Sequence, residues 1–92
     1  MVTRQIRVRG RVQGVGYRAA LQDKARKLGI TGWVRNRSDG SVEALVQGSP
    51  EALDAIVSWA ARGPASARVT ALDVSSLDDA PTCAPFELRA TL

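Results

Sequence analysis

Apolar and polar residues alternate along several short stretches of the chain, the first of which runs from Gln5 to Arg11. In that stretch Ile6 and Val8 alternate with arginines. A period of two places successive side chains on opposite faces of a strand, so the pattern predicts a strand with one buried face. The same analysis predicts further strands at residues 31–37, 41–47, 68–74 and 86–91.

The connection between the second and third predicted strands contains the pair Asp39-Gly40. Asp-Gly is favoured in two-residue type I′ turns, in which both central residues have positive φ. We therefore expect a tight hairpin in which these two strands pair antiparallel.

Two other segments have helical spacing. The first begins at Tyr17 and ends before Gly29, and these apolar residues share one face of it: Tyr17, Ala20, Leu21, Ala25 and Leu28. The second begins with Ser49 as a capping residue and Pro50 in the first helical position. Its stop signal is Arg62-Gly63-Pro64.

The predicted elements follow the order βαββαβ, with one added strand at the C-terminal end. Crossover rules for this order place both helices against one face of a mainly antiparallel sheet. The predicted fold class is therefore α+β, a ferredoxin-like βαββαβ sandwich. The chain has 92 residues and contains no repeat or linker, so we expect one domain spanning residues 1–92.

The charged residues favour an anionic ligand. The chain has thirteen Lys+Arg against nine Asp+Glu, a net charge of +4, and eleven of the thirteen cations are arginine, whose planar fork matches phosphate. Histidine is absent from the whole chain. That absence excludes Ser-His-Asp and Cys-His nucleophile pairs, histidine-ligated zinc and imidazole bases.

The remaining composition concerns the compartment. Cys83 is the single cysteine and is predicted to lie in a loop, where it has no partner for an internal disulfide. No long apolar run and no basic leader followed by an apolar segment occurs. We expect a cytoplasmic protein that does not associate with a membrane.

A glycine-rich loop from Val12 to Gly16 precedes the first helix. Unpaired N–H groups and the helix dipole favour an anion at such a point, so the backbone amides of residues 11–16 are candidate phosphate ligands. They belong to Arg11, Val12, Gln13, Gly14, Val15 and Gly16. Arg18 lies in the first turn of the helix, and its side chain leans back toward the same point.

Asn36 lies near the end of the second predicted strand. In this topology the first two strands are parallel, so Asn36 shares a sheet edge with the glycine loop. Its amide can accept a hydrogen bond from water and donate one to a phosphoryl oxygen, which would orient the water. Taken singly, Arg18 is typical of a solvated helix surface and Asn36 of a strand end; together they are candidate catalytic residues.

The segment Gly10-Arg11-Val12-Gln13-Gly14-Val15-Gly16-Tyr17-Arg18 resembles the phosphate-loop signature of acylphosphatases. Residues 32–36 (GWVRN) and 39–43 (DGSVE) resemble the second motif of that family. The similarity continues through residues 46–48, 63–64 and 86–89, so it covers essentially the whole chain in the right order.

This resemblance implies hydrolysis of acyl phosphates to a carboxylate and inorganic phosphate. It implies that Arg18 binds the phosphate and that Asn36 positions the water. One departure is Tyr17, where the family more often has phenylalanine. The tyrosine ring should pack in the same way as a phenylalanine ring, but its hydroxyl needs water or another hydrogen-bond partner.

The chemistry agrees with the composition. A carboxylate leaving group needs no protonation at neutral pH, and a loose phosphoryl transition state asks little of a base. We expect no metal and no cofactor, a small-molecule acyl phosphate as the substrate, and a monomeric enzyme. Phosphate monoesters fit less well, because they are among the slowest substrates to hydrolyse without catalysis.

Two other functions remain open from the sequence. The RNA-recognition fold shares the βαββαβ order, but it stacks bases on aromatic residues of its central strands. Ile6 to Arg9 and Val42 to Gln47 contain none, so we expect no nucleic-acid partner. The other alternative is a carbamoyl-phosphate-handling or regulatory domain of a larger protein. The sequence starts at Met1, which we take as an argument against this alternative.

Overall fold

The computed structural model describes residues 2–77 and 85–91. Its elements follow the predicted order, with one added strand at the end. They are β1 (Val2–Arg11), α1 (Tyr17–Lys27), β2 (Thr31–Asn36), β3 (Val42–Gly48), α2 (Pro50–Ala60), β4 (Arg68–Leu77) and β5 (Glu87–Leu88).

The five strands form one sheet in the order β4-β1-β3-β2-β5. The β1–β3, β1–β4 and β2–β3 pairs are antiparallel, and the β2–β5 pair is parallel. Because β1 and β2 both run antiparallel to β3, they are parallel to each other. Their C-terminal ends therefore lie at the same edge of the sheet, as the sequence predicted.

Both helices pack on one face of this sheet. Alternate residues of three strands point into a single apolar core: Ile6, Val8, Val34, Val42, Ala44 and Val46. The helices contribute Tyr17, Leu21, Ala25, Leu53 and Ile56 to the same core. The observed architecture is the predicted ferredoxin-like α+β sandwich.

The two helices begin in different ways. The Ser49 hydroxyl caps α2 by accepting a hydrogen bond from the Ala52 amide at 3.1 Å, and Pro50 occupies the first position. α1 begins after Gly16, whose φ is 79°, and no side chain in the described ranges caps it. The N-terminal amides of α1 are therefore left for a ligand.

The predicted type I′ turn is wrong. Every described residue with positive φ is a glycine, so Ser38 and Asp39 have negative φ and only Gly40 (φ 93°) is left-handed. The Gly40 amide donates to the Arg37 carbonyl at 3.1 Å, which makes a type I turn followed by a glycine bulge. Asp39 holds this conformation because its Oδ1 accepts from the Ser41 amide at 2.9 Å and from the Ser41 hydroxyl at 2.6 Å.

The C-terminal part also differs from the prediction. β4 extends to Leu77 because it follows β1 as far as Thr3. β5 has only two residues instead of the predicted 86–91. Cys83 and its predicted loop lie outside the described residues.

Within the described ranges, neither helix combines the length and the apolar character needed to cross a lipid bilayer.

Candidate active site

The glycine loop between β1 and α1 adopts a conformation that requires glycine. Gly14 (φ 73°) and Gly16 (φ 79°) are left-handed, and a Cβ at either position would meet no heavy atom within 4 Å. The two glycines are therefore needed for backbone conformation and not for close packing. The loop leads the chain into α1, whose first amides are capped by no side chain of the described residues, and the helix dipole adds partial positive charge there.

A pocket of about 170 Å³ opens where this loop, α1, the end of β2 and β5 meet. It is lined by Val12, Gly14, Gly16, Tyr17, Arg18, Ala19, Asn36 and Leu88. The pocket thus brings together both predicted catalytic residues and three of the six predicted loop residues. Arg11, Gln13 and Val15 do not line it.

Arg18 is half-buried in the first turn of α1. Its Nη1 donates to the Arg89 carbonyl at 3.2 Å. Among the described residues, no carboxylate lies within ion-pair distance of Arg18. The guanidinium is therefore oriented by a neutral acceptor, and its charge is left for an anion in the pocket.

Asn36 is the last residue of β2, two positions after Val34 and on the same helix-covered face. Its Oδ1 is buried, and no donor in the described part of the chain reaches it. Leaving a buried acceptor unsatisfied costs about 1–3 kcal/mol. A donor entering the pocket, such as a water molecule, would be stabilised by this oxygen.

The Gln13 side chain joins the loop to the β2–β3 hairpin. Its Nε2 donates to the Arg37 carbonyl at 2.7 Å and to the Ser41 carbonyl at 2.8 Å. Because Arg37 follows Asn36 directly, these bonds set the position of Asn36 relative to the loop. The sequence predicted a role for the backbone amide of Gln13 but not this side-chain contact, which has no local sequence signal.

The Val15 carbonyl accepts a hydrogen bond from the Ser66 hydroxyl at 2.8 Å. This bond attaches the loop to the connection between α2 and β4. The loop is therefore held on both sides, by Gln13 at the hairpin and by Ser66 at the opposite side.

Tyr17 is a buried aromatic residue that lines the pocket. Its ring is 1% exposed and lies 5.6 Å from the Trp59 ring, and its hydroxyl donates to the Ala60 carbonyl at 2.7 Å. The hydroxyl, which the sequence predicted to need water or a partner, thus has a partner in the carbonyl of the last residue of α2. Burial raises the pKa of Tyr17, so the phenol stays protonated and keeps the proton that it donates to this carbonyl.

The site offers a cation, backbone amides at a helix N-terminus and one carboxamide, groups whose chemistry suits a tetrahedral anion and a water molecule beside it. In the described ranges, no cluster of three or more His, Cys, Asp or Glu side chains is arranged to hold a metal ion.

Comparison with known proteins gives the family of this chain. The family model described as Acylphosphatase matches residues 4–88. The chain is 47% identical over 93 residues to the acylphosphatase of Acidovorax sp. (strain JS42), covering 99% of this chain and 93% of the relative. It is 52% identical over 82 residues to the acylphosphatase of Azoarcus sp. (strain BH72), covering 89% and 82%. The crystal structure of acylphosphatase from Bacillus subtilis superimposes with a TM-score of 0.93 at 37% identity, covering 97% of this chain and 99% of that one. The chain belongs to the acylphosphatase family.

Proposed function

We propose that this acylphosphatase uses Arg18 and the amides of residues 11–16 to hold the phosphoryl group, and Asn36 to orient the attacking water. The products are a carboxylate and inorganic phosphate. One observation carries the proposal: a guanidinium with no carboxylate partner among the described residues, and a buried carboxamide oxygen with no donor among them, meet at one glycine-lined pocket.

Binding of the phosphoryl group comes first. The amides at the start of α1 and the helix dipole attract the anion, and Arg18 adds a planar pair of donors. The Arg89 carbonyl holds one guanidinium nitrogen and leaves the others for phosphoryl oxygens. Binding is expected to involve the whole loop, since Gln13 and Ser66 hold its two sides.

Hydrolysis then needs a water molecule in line with the breaking bond. The Asn36 Oδ1 accepts a hydrogen bond from this water, whose oxygen attacks phosphorus as the P–O bond to the acyl group breaks. The electron pair of that bond leaves on the carboxylate, and the proton of the water passes to phosphate or solvent. A carboxylate with a pKa near 4 needs no general acid at neutral pH.

The charge that develops on the phosphoryl oxygens is met by Arg18 and the loop amides, so we propose that turnover needs no metal and no cofactor. We further propose a single-domain, monomeric, cytoplasmic enzyme acting on a small-molecule acyl phosphate without a nucleic-acid or membrane partner.

The test follows benzoyl phosphate loss in the presence of a chelator. Arg18→Ala should lower turnover about 100- to 1000-fold, the usual effect of removing one donor to transition-state charge. Asn36→Ala should lower turnover while leaving the inhibition constant of inorganic phosphate unchanged, because its contribution is made to water.

Arg62→Ala provides the control, since Arg62 is exposed and does not line the pocket. It should retain the wild-type rate. Full activity in both Arg18→Ala and Asn36→Ala would refute the site assignment, and loss of wild-type activity on chelation would refute metal independence.

A further inference from the structure

Glu43 is a buried carboxylate that the mechanism above does not use. It lies on β3 directly opposite Arg35 of β2, and it is 3% exposed. Asn36 faces the helices and lines the pocket, whereas Arg35 and Arg37, on either side of it, reach Glu43 on the opposite face of the sheet.

The two carboxylate oxygens have separate partners. Oε1 accepts from Arg35, with Nε and Nη2 each at 2.8 Å, and from Arg37 Nη1 at 3.2 Å. Oε2 accepts from the Gln5 side chain and from Arg7 Nη2 at 3.3 Å, both on β1. One carboxylate therefore ties both neighbours of Asn36 to the central strands of the sheet.

We call Glu43 and its four partners, Gln5, Arg7, Arg35 and Arg37, the clamp. It is ionic, and its carboxylate is sheltered from solvent. Burial by itself would raise the pKa of Glu43, but the hydrogen bonds and charges of Arg35, Arg7 and Arg37 hold that pKa below its usual value. Glu43 stays ionised at neutral pH, and low solvent access strengthens its attraction to the arginines.

We infer that Glu43 is a positioning residue for hydrolysis, which fixes the backbone on both sides of Asn36 and thereby aims its carboxamide at the attacking water. This inference rests on the proposed function, because it acts through Asn36. Gln13 complements the clamp from the glycine loop by donating to the Arg37 carbonyl.

The experiment is a double-mutant cycle between Glu43→Gln and Asn36→Ala, read as kcat and as the phosphate inhibition constant. Glu43→Gln should lower kcat about 10- to 100-fold, the size expected for a small misplacement of a reacting group. The phosphate inhibition constant should change less than about twofold, because Arg18 and the loop lie outside the clamp. In the Asn36→Ala background, Glu43→Gln should have no further effect on kcat.

Asp73→Asn is the matched control. Asp73 lies opposite Arg7 in the ladder between β1 and β4 and forms a 3.8 Å ion pair with Arg9. The substitution therefore also removes a paired carboxylate from the sheet, but one that does not contact Arg35 or Arg37 among the described residues. It should leave kcat unchanged. If Glu43→Gln does not fold, Arg37→Gln removes one arm of the clamp and is tested in the same cycle.

The outcomes separate the two proposals. Equal kcat for Glu43→Gln and Asp73→Asn, or losses that multiply in the double mutant, would overturn the positioning role while leaving the role of Asn36 intact. Wild-type activity in Asn36→Ala would overturn both.

Discussion

Arg18 differs from most arginines of this chain in what it contacts. Seven of the described basic residues pair with carboxylates, whereas the hydrogen bond of Arg18 within the described residues goes to the Arg89 carbonyl. A neutral acceptor fixes the orientation of a guanidinium without cancelling its charge. At the residue scale, this contact is what makes the proposed phosphate-binding role physically plausible for Arg18 and not for Arg35 or Arg37.

Arg18→Lys tests whether geometry or charge matters at this position. Lysine keeps the charge but presents a point ammonium in place of a planar fork, so we expect kcat/KM for benzoyl phosphate to fall about 100-fold. Steady-state kinetics at constant ionic strength measures this. Near-normal turnover would show that charge alone suffices.

At the scale of elements, α1 organises the C-terminal segment. Its side chains at positions 18, 22 and 26 lie four residues apart on one face. Arg18 donates to the Arg89 carbonyl, and Gln22 and Arg26 donate to the Phe86 carbonyl at 3.2 Å and 3.1 Å. These bonds hold the segment beside β2 although β5 has only two residues, and they keep Leu88 at the pocket.

Replacing Arg26 with Met should loosen this attachment. Removal of one charged donor to a carbonyl is expected to lower the free energy of unfolding by about 1–3 kcal/mol, measured by urea titration. Because Leu88 lines the pocket, the KM for benzoyl phosphate should rise as well. Lys24→Met, on the same helix, is the control, and an unchanged KM in Arg26→Met would show that the segment does not shape the pocket.

Tyr17 connects the two helices, which makes Tyr17→Phe a test of that contact. The variant leaves the buried Ala60 carbonyl without its hydroxyl donor, so we expect stability to fall by about 1 kcal/mol. Activity should persist, because the ring still packs beside the loop. Thermal unfolding and benzoyl phosphate kinetics check both parts, and a large loss of turnover would assign the hydroxyl a role in the reaction.

At the scale of the whole molecule, two carboxylates connect stability to pH. Hydrogen bonds from the Ser41 side chain and amide lower the pKa of Asp39, and the surrounding arginines lower that of Glu43 against the effect of its burial. A lowered folded-state pKa means that the unfolded chain binds protons more readily. The stabilisation is therefore complete above the unfolded pKa values, about 3.9 for Asp and 4.3 for Glu, and is lost below them.

We accordingly predict an unfolding free energy that is nearly constant from pH 7 to pH 5 and falls below about pH 4.3. Urea titrations at pH 7, 5, 4 and 3 measure it. Glu43→Gln should be less stable at pH 7 but should show a shallower decline in acid. An equally steep decline in the variant would mean that Glu43 does not contribute to the acid response.

Local patterns in the sequence determined the order of elements, the hairpin between β2 and β3 and the glycine loop before α1. Ser49 and Pro50 marked the start of α2 correctly, because capping involves only neighbouring residues. The turn type was wrong because Asp39 bonds to Ser41, an alternative that the Asp-Gly pair does not encode. The predicted length of β5 was wrong because the described part of this strand pairs with β2 only at Trp33 and Val34, a register that no local pattern encodes.

Tertiary structure alone decided which side chains surround the site. The contacts of Gln13 with Ser41, Tyr17 with Ala60 and Glu43 with Arg7 join residues 28, 43 and 36 positions apart. Helical and strand periods arise from interactions within a few residues, so a single sequence carries them directly. Contacts between distant residues depend on strand register and helix packing, which are set by burial of the core as a whole.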